Sequence, residues 1–424
     1  MSEWKETDIG LIPHDWEVVK FSEILQTTLR NGVNKPSRVR GIGDYKMVNM
    51  NEIFAHDVIK DIPMEFVELN DNERATSLLE KKDLLFARQS LVFEGAGKCS
   101  IYIGDNEKVC FEGHLIRARL NSKKSNSEFY YYFFSSSYGK RFIRTIIEQA
   151  VVAGIRGSDL KDLQIPYPPK QQQDGAVGIL SCLDRKISNL RQQNETLERI
   201  AQTLFKHWFV DFEFPNEDGK PYKSSGGDMV RSEFGKIAVG WRVGKLGDEF
   251  NILMGQSPDG SSYNEDGEGL IFFQGRTDFG FRFPQVRLFT TEPKRIANKF
   301  DVLVSVRAPV GDINVAFEKC CIGRGLSAVS SKYKSYCLYK LKYYRKFFDV
   351  FEFEGTVFGA LNKQGFNDLE SVIPNERPLE TFDSIVSPLD RKIFVNEQEI
   401  QTLTKARDVL LPKLMSGKLR ITAS

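Results

Sequence analysis

The chain runs to 424 residues, 41% hydrophobic and 27% charged, with 59 lysines and arginines against 57 acidic side chains. At about 150 residues per domain the length predicts about three domains rather than one, and the composition excludes a mainly disordered chain or one with a polybasic or acidic tail. A net charge of +2 names no partner by itself.

In chain order, the opening stretch Ile9-Gly-Leu-Ile-Pro-His-Asp-Trp16-Glu-Val-Val-Lys20-Phe-Ser-Glu23 returns as Phe234-Gly-Lys-Ile-Ala-Val-Gly-Trp241-Arg-Val-Gly-Lys245-Leu-Gly-Asp248, at an offset of 225. Short runs of aromatic and β-branched residues follow at 83–88 and 100–104, separated by glycine, asparagine and proline, and read as strands joined by turns. The aromatic-rich 128–148 reads as a helix flanking that sheet. Beyond Pro166-Tyr-Pro-Pro169 the pattern becomes helical. The second half repeats this order, with strands at 302–306 and 314–317, a helix at 336–353, and a closing helix after Pro374 and Pro378. Asp83-Leu-Leu-Phe-Ala-Arg88 echoes Asp301-Val-Leu-Val-Ser-Val-Arg307, and Leu163-Gln-Ile-Pro166 echoes Leu369-Glu-Ser-Val-Ile-Pro374. Leu183-Asp-Arg-Lys-Ile187 recurs unchanged as Leu389-Asp-Arg-Lys-Ile393, 206 residues on. A duplication explains the preserved order.

In the first closing helix the core-type positions are Ala176, Leu180, Leu183, Ile187, Leu190, Asn194, Leu197, Ala201, Leu204 and Trp208, spaced by four and three. A shift of 206 gives Phe382, Val386, Leu389, Ile393, Asn396, Ile400, Leu403, Arg407, Leu410 and Leu414. Each is a coiled-coil seam, roughly 48 Å long at about 1.5 Å per residue, which is longer than capping a sheet requires. Antiparallel pairing with Asn194 against Asn396 puts Leu190 opposite Ile400, Leu197 opposite Ile393, Ile187 opposite Leu403 and Leu183 opposite Arg407, whose guanidinium must then snorkel outward. The alternative has each helix packed on its own domain with both asparagines exposed. Pro412 predicts a kink or stop. Antiparallel pairing would set two similar domains at opposite ends about a pseudo-twofold axis, so that one chain imitates a dimer. That spacing suits duplex DNA, whose half-sites recur about every 34 to 36 Å.

Several chemistries lack their residues. Gly95-Ala-Gly-Lys98-Cys99 has only the tail of a phosphate loop and reads as a turn, no G-x-G-x-x-G follows a strand, and His114 and His207 read as packed side chains. The cysteines Cys99, Cys110, Cys182, Cys320, Cys321 and Cys337 form no C-x-x-C pair and predict free thiols rather than zinc or disulfides. With no apolar run of about 18 residues and no export-type opening, the expectation is a cytoplasmic chain without a membrane partner.

Residues suited to phosphates and base edges stand in two loops. In the first half they are Arg30, Asn31, Lys35, Arg38, Arg40 and Asn49; in the second, Gln256, Ser257, Gln274 and Arg276. The two middles differ, so an asymmetric, bipartite target follows. An adaptor whose domains bind proteins, or a self-contained DNA enzyme, are the competing classes.

Gly10-Leu-Ile-Pro-His-Asp-Trp16-Glu-Val, the helix from Leu183-Asp-Arg-Lys-Ile187 to Trp208-Phe-Val-Asp-Phe212, Gly255-Gln-Ser-Pro258 and Leu411-Pro-Lys-Leu-Met-Ser-Gly-Lys-Leu419 resemble the specificity subunits of type I restriction-modification systems over essentially the whole chain. The resemblance implies an α+β fold. Two mixed, mostly β target recognition domains, 1–170 and 233–378, would be separated by two long helices, 171–210 and 379–421, forming an antiparallel coiled coil, with 211–232 as a linker. It further implies that each domain reads half of a split DNA site, while the helices set the spacer and dock two modification subunits. Those subunits would bring S-adenosylmethionine and methylate adenine N6 after flipping the base, and restriction subunits would use ATP and magnesium. This chain would carry no cofactor, no metal and no catalytic residue. Arg407 departs from the apolar or small residues usual at that seam position in the family.

Overall fold

The duplicated opening folds the same way twice. In the computed structural model, which describes residues 3–105, 108–149, 152–348 and 360–421, the hairpin of Trp4–Thr7 with Gly10–Pro13 recurs as Met229–Ser232 with Gly235–Ala238. Each turns on a glycine in the left-handed region, Gly10 at φ +99° and Gly235 at φ +90°, where a Cβ would be penalised. Glu17–Lys20 then pairs antiparallel with Gln164–Tyr167, Lys20 opposite Gln164, and Arg242–Lys245 pairs with Glu370–Ile373, Lys245 opposite Glu370. The first strands differ by 225 and the second by 206, so the register itself is duplicated. An equivalent ion pair flanks both: Lys20 Nζ to Asp162 Oδ1 at 3.1 Å, and Lys245 Nζ to Asp368 Oδ1 at 2.7 Å.

The chain folds as two units, one of the residues up to Ser188 and from Gln401 onward, the other Asn189–Ile400. The first is built on a sheet ordered Arg30–Asn31, Leu115–Ala118, Leu84–Ala87, Cys99–Tyr102 and Val58–Ile59, with a second sheet of Val109–Phe111, Tyr45–Val48 and Glu65–Val67. Leu84–Ala87 is buried at every position. Its alternate side chains enter different cores, Leu84 and Phe86 with the aromatic helix residues Tyr130 and Phe134, Leu85 and Ala87 with Val48 and Phe111. That two-sided burial is why the run reads as continuously apolar. In the second unit the sheets run Asn251–Met254, Leu326–Ser330, Val302–Ser305, Ile313–Val315 and Tyr263–Asn264, Leu288–Thr290, Leu270–Phe273, Cys320–Ile322, Ile296–Ala297. Val302 and Val304 face one core and Leu303 the other.

Two expectations need correction and two need bounds. The helix expected at 128–148 is two helices, Ser127–Ser135 and Ser137–Arg144, followed by the strand Glu148–Gln149. Ser136 breaks it, its Oγ accepting from Gly139 N at 2.9 Å and capping a new start. The helix expected at 336–353 runs Lys334–Phe348, and residues 349–353 of that expectation lie outside the described residues. Arg88 is equivalent to Val306 rather than Arg307, because Arg88 N donates to His114 O and Val306 N to Gly325 O. The second closing helix, Glu376–Met415, stops three residues past Pro412 rather than at it; so near its end, proline removes one backbone donor where few bonds remain to be lost.

The two long helices are Lys170–Phe209 and Glu376–Met415, each of 40 residues and each contributing to both units. The second unit holds the end of the first helix and the start of the second, and the segments run antiparallel. Asn194 bonds Asn396, and fourteen residues onward Trp208 lies 5.9 Å, ring to ring, from Phe382, fourteen residues back. In the first unit, Asp184 meets Arg407 while Ala176, Val177 and Leu180 share a core with Leu414 and Met415, so those segments are antiparallel too.

Candidate nucleic-acid interface

In each unit a parallel strand pair delivers the chain to one end of the sheets: Tyr45–Val48 beside Val109–Phe111, and Leu270–Phe273 beside Cys320–Ile322. A third segment crosses there. Val33 N donates to Phe111 O at 2.8 Å, and Gln256 N to Ile322 O at 3.0 Å. Glycine permits this approach, since a Cβ on Gly32 would stand 1.9 Å from Phe111 O and one on Gly255 2.1 Å from Gly323 O. The result gathers residues 31–35, 49–50 and 112–114 in the first unit, and 254–258, 274–276 and 323–325 in the second. Glu112 N donates to Val48 O and Gly323 N to Phe273 O, so the two gatherings share their backbone pattern.

The sequence candidates divide within this frame. Arg30 and Asn31 form an exposed edge strand, and Arg38 is exposed in the following turn Ser37–Val39. Neither arginine makes an ion pair among the described residues. Lys35, Arg40 and Asn49 instead brace the loop. Lys35 Nζ pairs with Glu73 Oε2 at 2.8 Å; burial works against the Glu73 charge, but Lys35 and the Asn70 N–H hold its pKa below the ordinary value. Arg40 reaches Glu65 at 3.4 Å and Glu112 at 3.6 Å, and donates from Nε to Lys35 O at 2.9 Å. Asn49 is buried, and its N–H donates to Glu52 Oε2 at 2.7 Å while its Nδ2 donates to Glu65 Oε2 at 3.3 Å. In the second unit Gln256 and Gln274 are exposed, Ser257 Oγ accepts from Arg324 N at 3.2 Å, and Arg276 is held by Asp312.

Two features escaped the sequence. Arg324, exposed between Gly323 and Gly325, joins Gln256 and Gln274 without an ion pair among the described residues. Its signal was the Gly-Arg-Gly triplet at the position equivalent to Glu112-Gly113-His114. The other is a cleft of about 750 Å³ in the first unit, lined by Thr28, Asn31, Arg88, Arg156, Ser158 and Lys161 among others and by no acidic side chain. Three cations and several hydroxyl and amide groups suit phosphate oxygens. The cleft draws on four separate stretches of chain, so no local motif announced it.

Along the paired helices, Ile187, Leu190, Asn194, Ile393, Asn396 and Ile400 are buried, and Leu183, Leu197, Leu204, Leu389, Leu403 and Leu410 are half-buried. Arg407 turns to Asp184 Oδ1 at 3.0 Å, and the hydroxyl of Tyr132 donates to Asp184 Oδ2 at 2.6 Å. Among the described residues no group of histidines, cysteines and carboxylates could hold a metal ion, and no helix is long and apolar enough to cross a membrane.

Residues 13–199 match the family model described as the type I restriction modification DNA specificity domain. The chain is 33% identical over 429 residues to a putative type I restriction enzyme MjaX specificity subunit of Methanocaldococcus jannaschii, covering 99% of this chain and 97% of that protein. It is 27% identical over 443 residues to the MjaIX specificity subunit of the same organism, with the same coverage. The crystal structure of a type I restriction-modification S subunit from M. genitalium matches with a TM-score of 0.57 at 17% identity, over 96% of this chain and 97% of that one, and so shares its fold.

Proposed function

The chain belongs to the specificity subunits of type I restriction enzymes, a non-catalytic family, and from that premise we propose that its two units each read one half of a bipartite, asymmetric DNA site. One observation carries this: the same three-segment gathering occurs in both units with different side chains on it. Asn31 on that gathering and Arg30 and Arg38, which flank its first segment in the chain, present an amide and cations in the first, Gln256, Gln274 and Arg324 in the second. Arginine can address guanine bidentately and glutamine or asparagine adenine, each good pair being worth about 1 to 3 kcal/mol of discrimination. Lys35, Arg40 and Asn49 act by stiffening their loop, and the cleft at Arg88, Arg156 and Lys161 tracks the phosphate backbone.

The paired helices set the unspecified spacer and dock two modification subunits. The exposed Ile179, Ile200, Val395 and Val409 on them supply apolar docking surface. S-adenosylmethionine, ATP and magnesium belong to the modification and restriction subunits. With a net charge of only +2, the isolated chain binds DNA weakly and with strong salt dependence, partner subunits supplying further phosphate contacts. The deciding experiment is methylome sequencing of a host with and without the gene: one split motif should lose adenine methylation on deletion. Exchange of residues 1–170 should then rewrite one half of the motif, and a change in both halves would refute the modular reading.

A further inference from the structure

In the second unit one excursion of the chain joins the reading end to the long helices. It leaves at Gln274 and Arg276 and returns in Leu288–Thr290, and Arg282 lies between. The Arg282 side chain is 2% exposed. Its Nε donates to Glu198 Oε2 at 2.9 Å, its Nη1 to Asp390 Oδ1 at 2.8 Å and its Nη2 to the Tyr339 hydroxyl at 2.7 Å. Glu198 stands on the first long helix and Asp390 on the second, so one guanidinium grips both. Lys342 also pairs with Glu198. Phe283 packs on Phe394 of the second helix, ring centroids 5.6 Å apart. The excursion is internally tied, with Gln285 N donating to Asp278 O at 2.7 Å and Val315 N to Arg282 O at 2.9 Å.

The first unit is built differently at the equivalent place. Tyr132 and Asp184 correspond to Tyr339 and Asp390, but there the cation is Arg407, from the other long helix. Only in the second unit does it come from the reading excursion. Stability is a poor reason for such burial, because apolar groups of similar volume do as well or better. The planar fork of arginine does supply a fixed orientation.

We infer that Arg282 is a positioning residue: by gripping Glu198 and Asp390 it sets the orientation of the second unit's reading segments on the paired helices, and thereby the phase of the second half-site. This rests on the half-site reading above. The test uses the full chain assembled with its modification subunits, measuring methylation of duplexes with the native spacer and with spacers one base pair longer or shorter. The variant Arg282→Met/Glu198→Met/Tyr339→Phe/Asp390→Leu removes the network whole, leaving Lys342 free to turn to water. It should unfold no earlier than the unaltered chain, yet its preference for the native spacer should fall by about tenfold or more while discrimination in the first half-site stays intact. Arg282→Lys, which keeps charge and loses the fork, should lose part of that preference. Unchanged spacer preference in the network variant, or in Arg282→Lys should the former fail to fold, overturns the inference. If the unaltered complex methylates no split site, it is the half-site reading that fails.

Discussion

Asn396 Nδ2 donates to Asn194 Oδ1 at 2.8 Å where neither side chain is exposed. Asn194 in turn donates from Nδ2 to Glu397 Oε1 at 2.6 Å. The two asparagines sit four residues apart in the duplicated pattern, since Asn396 corresponds to Leu190 and not to Asn194 at the 206 offset. They meet in the antiparallel register, and a one-heptad slip would set Asn194 against Leu389 or Leu403 and Asn396 against Ile187 or Ala201. Buried polar pairs of this kind select register at a cost in stability.

Replacing Asn194→Leu alone should therefore destabilise the chain by about 1 to 3 kcal/mol, because Asn396 is left buried without its partner. Asn194→Leu with Asn396→Leu should recover that loss or exceed the parent. Denaturant unfolding of the three chains decides, and a single variant as stable as the parent would be the contrary result.

Glu397 sits where burial raises its pKa, opposed by the Asn194 amide and by Arg191 and Arg282. A folded pKa above the unfolded one means that folding favours the protonated form, so at neutral pH the charge costs stability and the cost disappears as pH falls through the folded value. Glu397→Gln keeps the acceptor for Asn194 and should raise the melting temperature at pH 7. The gain should shrink towards pH 4, and a loss of stability at pH 7 would contradict the assignment.

Glu198 has the opposite sign. Burial works to raise its pKa, but Arg282 and Lys342 hold it below the ordinary value. Its contribution is complete above the unfolded glutamate pKa of about 4.3 and is lost as pH falls through the lower folded value. Melting temperatures measured between about pH 5 and pH 2 should fall less steeply for Glu198→Gln than for the parent. An identical slope would show that the network does not titrate this way.

Gly32 and Gly255 occupy equivalent crossings, where a Cβ would meet backbone oxygen at 1.9 Å and 2.1 Å. Gly32→Ala should degrade recognition of one half-site and Gly255→Ala of the other, read as methylation of duplexes mutated in each half. Equal damage to both halves by either variant would count against separate reading.

Arg324→Ala should weaken binding of the assembled complex. If Arg324 reads a base, discrimination at one position of the second half falls by about 1 to 3 kcal/mol; if it holds phosphate, the salt slope falls by about one. No change in either quantity would remove Arg324 from the interface.

Much of the fold was legible because two kinds of information are local. The four-three spacing of apolar residues marks both long helices and points to Asn194 beside Asn396, and the Trp16 and Trp241 motifs mark the duplication. The break at Ser136 was missed because aromatic residues continue across it, and only the capping bond to Gly139 reveals a new helix start. The equivalence of Arg88 with Val306 was displaced by one residue because an arginine lies next to the true counterpart, and strand register, not residue identity, settles it.

Sequence alone determined the repeat, the mixed α+β character, the two seams and the family, since each is written in periodicity or in contiguous motifs. Tertiary structure alone decided which polar residues are free. Lys35, Arg40 and Asn49 look identical in kind to Arg30, Asn31 and Arg38, but acids 16 to 72 residues away, Glu65, Glu73 and Glu112, occupy the first set. Arg282 likewise reads as one more loop cation until folding brings Glu198 and Asp390 to it. Whether a charged group faces solvent or a partner depends on neighbours distant in the chain, and short-range pattern carries no record of them.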